Sequence, residues 1–190
     1  MLTDRPPRDG ALLAQFLESD GLAILEVPQD DRLRVPAASI DWGMRIGKVS
    51  AVREACAEFL NAASDFYKVP KPLVHVLAAR PVRVREGGLA TELFGDYSPE
   101  KALIRVWMRT VVRKQVTSFG TFLSTLCHEF CHHLEAQQLG FPDSPHTRGF
   151  YARTAALYHH ARGTPLKQLF WIPVQGARWR IDWPRTNRGI

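Results

Sequence analysis

Ser118-Phe119-Gly120-Thr121-Phe122-Leu123-Ser124-Thr125-Leu126-Cys127-His128-Glu129-Phe130-Cys131-His132-His133-Leu134 is the stretch that decides how this 190-residue chain is read. Phe119, Phe122, Leu123, Leu126, Phe130 and Leu134 recur at three and four residues, which gives a helix one apolar stripe suited to burial under a sheet. Thr117 or Ser118 stands where such a helix starts and Gly140 supplies its stop, so the spacing predicts a helix over about 117–139. On it, His128 and His132 project from one face and can reach the same metal ion. Glu129 lies one residue along, close enough to handle a proton on bound water but placed to avoid ligation. Zinc lowers the pKa of such water to about 7, and the glutamate takes the proton as the oxygen attacks a carbonyl. A shuffled chain of this composition would show the five-residue pattern roughly 0.01 times, so accident explains it poorly. Cys127 and Cys131 also lie four apart, but their neighbours are apolar and they read as small buried hydrophobes.

A catalytic zinc takes three protein ligands and keeps a fourth position open. A histidine six residues beyond His132 is absent, because Gln138 stands there, and no glutamate follows Glu135. The remaining candidates are His133, His146, His159, His160, Asp143 and Asp182. His133 points about 100° away from His132 on the same helix. Asp143-Ser144-Pro145 reads as the cap and first turn of a next helix, running through Phe150, Ala152, Ala155, Ala156 and Leu157 to about Ala161, with Gly163 and Pro165 closing it. His146 starts that helix and His159-His160 end it, about 20 Å apart at 1.5 Å per residue, so only one end reaches the ion. The short turn before His146 folds the chain back antiparallel to the first helix and makes His146 the best placed, with Asp143 next.

Upstream, Val52, Cys56, Phe59, Leu60, Ala63, Phe66 and Tyr67 mark an amphipathic helix over 51–67, which Pro70 and Pro72 stop. Short β-like runs follow at 73–79, 82–85, 89–94 and 103–109, with Gly87-Gly88 and Gly95-Asp96 as turns. In the last run Ile104, Val106 and Met108 alternate with Arg105, Trp107 and Arg109, the pattern of a strand with one buried and one polar face. The first fifty residues suggest a short helix at 11–18, a strand at 22–27 and a Pro/Asp-rich loop after Pro28. The order as a whole is α+β, with a small, mostly antiparallel sheet. The expected division is an N-terminal segment 1–50, a central domain 51–163 and a basic, Trp-rich tail 164–190 packed on that domain.

Composition bounds the rest. The 45% apolar content is that of a globular chain, no apolar run reaches the ~20 residues needed to span a bilayer, and three cysteines without a C-x-x-C pair favour a reducing, cytoplasmic setting. The formal net charge is +6, and residues 162–190 carry six basic residues against Asp182, so most of the excess lies in the tail. There, Phe170-Trp171-Ile172 and Arg178-Trp179-Arg180-Ile181-Asp182-Trp183 flank Gln175-Gly176 as a β-hairpin. Its interleaved basic and aromatic residues suit either cover for the core or contact with nucleic acid.

His128-Glu129-x-x-His132, followed after thirteen residues by His146-Thr147-Arg148-Gly149-Phe150, resembles the SprT-like (Spartan-type) zinc metallopeptidases, over about 110 residues. The resemblance implies a minimal zincin-like fold, one zinc ion per chain on His128, His132 and His146, Glu129 as general base, and protein or peptide substrates. Some members of that family degrade proteins crosslinked to DNA. Two features depart from its pattern: Thr147 replaces the usual glycine after the third histidine, and the cysteine zinc ribbon of many members is missing. In zincins a strand preceding the motif helix binds extended peptide, which the resemblance places on 103–109 as an edge strand. Tyr151 or Tyr158 is a candidate oxyanion donor. The competing expectation is a catalytically weak zincin-like binding module that contacts nucleic acid or protein through its basic tail.

Overall fold

The computed structural model describes residues 1–79, 82–84, 90–110 and 115–189. Three helices come first: α1 (Gly10–Gly21), α2 (Arg34–Arg45) and α3 (Val49–Tyr67). The strands β1 (Leu73–Ala79), β2 (Val82–Val84), β3 (Ala90–Glu92), β4 (Gly95–Ser98) and β5 (Leu103–Arg109) follow. Then come α4 (Phe119–Leu134), α5 (Arg148–Arg162), β6 (Trp171–Val174), β7 (Arg178–Ile181) and α6 (Trp183–Arg188). The class is α+β, as expected. No helix among the described residues is long and apolar enough to cross a membrane.

The sheet corrects two expectations. Its order is β1-β5-β4, with β1 parallel to β5 and β4 antiparallel to it, so it is mixed and not mostly antiparallel. The 103–109 strand is therefore central, and among the described residues the outer strand on that side is β4. Trp107, expected on a polar face, is 5% exposed, and only Arg105 of the strand is exposed, where it pairs with Asp96 across to β4. Gly95-Asp96, read as a turn, opens β4 instead. The expected turn at Gly87-Gly88, and Arg85 and Leu89 at the ends of two expected strands, lie outside the described residues.

The N-terminal region differs most from expectation. The helix at 11–18 is present as α1, capped by Asp9, whose side chain accepts from the N–H groups of Ala11 and Leu12. Residues 22–27 form no strand; side chains take up their backbone carbonyls instead, Arg153 that of Leu22 and Tyr67 that of Glu26. The region after Pro28 contains α2, because Pro36 falls in the first helical turn, where its missing N–H costs nothing. Leu33, Ala37, Ile40 and Met44 bury against α3, and they share one core cluster with Phe122, Leu126, Phe130 and, from the tail, Ile181.

The tail forms the expected hairpin, turning at Gly176 (φ +83°) and Ala177 (φ +53°), and residues 183–188 add a short helix. The N-terminal residues extend it: Leu2 bridges to Arg180 and the Thr3 N–H donates to the Trp179 carbonyl.

Candidate metal centre

The motif helix begins where expected. The Ser118 side chain accepts from the Thr121 N–H, and Phe122, Leu123, Leu126 and Phe130 are each at most 2% exposed beneath the sheet. After Leu134 the helix widens into one π turn over Glu135–Leu139 and stops at Gly140 (φ +76°). Residues 140–147 then fold back. The cap of the next helix is Thr147, not Asp143 or Ser144: its hydroxyl accepts from the Phe150 N–H at 3.0 Å and also bonds Ser19 at 2.9 Å. That double role calls for a hydroxyl residue at this position. His146, one residue before the cap, is thereby swung over α4.

His128, His132 and His146 offer ligand atoms that all lie within 4.8 Å of one another. The Nε2 of His128 is 3.2 Å from that of His132 and 3.0 Å from that of His146. Ligands about 2.0–2.1 Å from a tetrahedral zinc stand about 3.3 Å apart, so these spacings fit one ion. The outer hydrogen bonds fix which nitrogens face inward. Ser144 Oγ gives its proton to Glu135 Oε2 at 2.6 Å, so at 2.7 Å it accepts from His132 Nδ1–H. His146 Nδ1–H donates to Asp4 Oδ2 at 3.1 Å. Both residues therefore turn an Nε2 lone pair toward the shared point. Phe150, fully buried, has its ring centroid 4.6–5.2 Å from all three imidazoles and walls the site. Burial holds the His132 pKa down to about 3 and that of His128 well below the usual value, so both stay neutral and able to ligate at pH 7.

The other candidates lie elsewhere. His133 is fully buried on another face, bonded to the Pro70 carbonyl and the Tyr97 hydroxyl. His159 bonds Thr164 at the far end of α5, Asp182 caps α6, and Asp143 is exposed in the loop. Cys127 and Cys131 are buried free thiols.

Glu129 is 6% exposed, borders the same cavity as His128, and makes no hydrogen bond or ion pair among the described residues. Burial first, and the Asp96 charge second, push its pKa up to about 8. It is held from behind by β4, because a Cβ on Gly95 would come within 3.0 Å of its side chain. Tyr151 and Tyr158 both border the cavity, but the Tyr151 hydroxyl proton is committed to the Leu2 carbonyl at 3.0 Å.

Sequence reading missed the supports of the site: Asp4, Ser144 and the buried group Ser19–Glu135–Arg153. Glu135 accepts from Ser19, Ser144 and Arg153, and Arg153 also bonds the carbonyls of Ser19 and Leu22. The only signal in the sequence is that Glu135 follows His132 by three residues and so shares its face; Asp4 is 142 residues from its partner and leaves none.

Comparison with protein-family models, with curated proteins and with solved structures found no match to this chain.

Proposed function

We propose that this chain is a zinc-dependent metallopeptidase in which His128, His132 and His146 hold the ion and Glu129 is the general base. The observation that carries this reading is the pairing of two features in one cavity: three imidazoles whose ligand atoms lie within 4.8 Å of one another, with His128 Nε2 at 3.2 and 3.0 Å from those of His132 and His146, and beside them a buried carboxylate with no partner among the described residues. The donor set of three imidazoles suits zinc, and a zinc ion held there would polarise a carbonyl and acidify water. Glu129 supplies the place for the proton. An unpartnered buried carboxylate with a raised pKa takes a proton readily near neutral pH and passes it on to a leaving amine.

The outer edge of β4 is where an extended substrate would add as a further strand, since Phe94 and Gly95 border the cavity beside Glu129. This moves the substrate-aligning role from β5, which lies inside the sheet, to β4. The resemblance to SprT-like metallopeptidases supports the same reading and makes proteins attached to DNA one class of substrate to try.

The test is cleavage of an unfolded protein such as casein by the zinc-loaded chain and by Glu129→Gln. Cleavage by the first alone, at equal zinc content, is the expected result. Equal activity in both would remove Glu129 from the mechanism. No cleavage by either would favour the rival, a zincin-like module that binds without turnover.

A further inference from the structure

The cavity that holds the His128 and Glu129 side chains continues well beyond them, with a volume of about 1350 Å³. Its floor is one face of α4, where Gly120, Thr121, Ser124 and Thr125 lead up to His128. These small residues recur at four-residue intervals and leave an open channel along the helix. Its wall is the α5 face formed by Tyr151, Ala155, Tyr158 and Arg162. Among the described residues the Glu129 carboxylate is the only acidic group lining it, and it stands at the metal end. At the opposite end stand Arg162 and Lys167.

Neither cation pairs with a carboxylate among the described residues. Arg162 bonds the Tyr158 hydroxyl, with its guanidinium 5.6 Å from the Tyr158 ring centroid and 6.0 Å from that of Phe119. Lys167 Nζ donates to Asn187 Oδ1 at 2.9 Å. Two aromatic rings thus hold the guanidinium while donors remain free. Gly120 makes this placement possible, because a Cβ there would collide with Arg162 Nη1. The guanidinium consequently rests against α4 eight residues before His128, about 12 Å along the helix. An extended peptide advances about 3.3 Å per residue, so it covers that distance in three or four residues.

We infer that the far end of this groove is a subsite for the carboxylate of an Asp or Glu side chain, three or four residues from the cleaved bond of an extended peptide. The inference rests on the peptidase reading for where the cleaved bond lies. Arg162 supplies the forked donors that match a carboxylate, and Lys167 adds a point charge beside it. A polynucleotide would need positive charge along its whole path, whereas this groove carries it at one end and an acidic group at the other.

The test uses the full chain carrying Glu129→Gln and loaded with zinc, so that binding is read without turnover. Fluorescent peptides ending in a hydroxamate, which chelates the metal and fixes the register, carry one Glu at two to six residues from that end. They are made in both chain directions, each with a Gln counterpart. The expected result is tighter binding of the Glu peptide, by roughly tenfold, confined to spacings of three or four residues. Arg162→Gln should erase the difference and Arg162→Lys restore part of it.

Equal affinity for Glu and Gln peptides at every spacing, in a chain of confirmed zinc content, overturns the subsite and leaves the peptidase reading standing. If the chain takes up no zinc, the peptidase reading falls, and the same peptides without hydroxamate decide the subsite: an Arg162-dependent preference for Glu keeps it, and no preference removes it. Single-stranded DNA bound more tightly than the Glu peptides, and weakened by Arg162→Gln, would overturn the carboxylate in favour of phosphate.

Discussion

Glu129 on α4 and Glu135 just past its end are both buried, and their surroundings are opposite. Glu135 is fully enclosed and saturated: Ser19, Ser144 and Arg153 all donate to it, and Arg153 is itself 1% exposed. Glu129 has no such partner among the described residues and faces the cavity. Taking a carboxylate out of water without a partner costs several kcal/mol, so a fold that depends on a buried acid surrounds it with donors. Where an acid is left bare beside three converging imidazoles, the cost is one that function explains and packing does not. On the proposed reading the two glutamates would divide the labour around a bound metal: Glu135 would orient His132 through Ser144, and Glu129 would exchange a proton.

Removing each acid should therefore have different consequences. Glu129→Gln should lower peptide cleavage roughly a hundred- to ten-thousandfold while zinc content stays at the wild-type level, measured by turnover and by metal analysis on the same samples. Its thermal midpoint should not fall, since the variant removes a buried acid that has no hydrogen-bond partner among the described residues. Glu135→Gln should behave in the opposite way, leaving Arg153 buried without its counter-charge and costing about 3–5 kcal/mol in urea unfolding. If Glu129→Gln unfolds the chain and Glu135→Gln does not, the contrast between them is wrong.

A smaller effect is expected at the outer support of the third ligand. Asp4→Ala removes the acceptor for His146 Nδ1–H from a half-exposed position, so zinc affinity should weaken roughly ten- to a hundredfold with the fold retained. Competition with a coloured chelator measures the first, and circular dichroism checks the second. Unchanged affinity would mean that Asp4 merely sits beside the ligand.

A further effect is a dependence on pH in the metal-free chain. Burial raises the Glu129 pKa to about 8 from its ordinary value of 4.5. Between those limits the unfolded chain releases a proton that the folded chain keeps, so this group's contribution is fully present below about pH 4.5 and is lost as pH rises toward 8. Wild type should accordingly lose stability relative to Glu129→Gln over that window, seen as a widening gap between their urea midpoints. A constant gap would mean that Glu129 ionises as freely in the folded chain as in the unfolded one.

The parts of this arrangement that were legible in the sequence are the local ones. His128, Glu129 and His132 lie within one helical turn whose apolar stripe is plain, and His146 follows from the direction in which a short turn must fold. What sequence could not show depends on partners distant along the chain. The pairing of β1 with β5 made a central strand out of one that its alternation described only as half-buried. Pro36 looked like a loop residue, although its place in a first turn is compatible with helix α2. Asp4 and Ser19 support His146 and His132 from the far end of the chain, and no periodicity or spacing links them to those histidines.

Zinc titrated into metal-free wild type and His146→Ala, followed by calorimetry, tests the three-histidine centre most directly. One tight site per chain in the wild type, much weakened by the substitution, is the predicted result. No uptake of zinc by the wild type, or equal uptake by both, would contradict it.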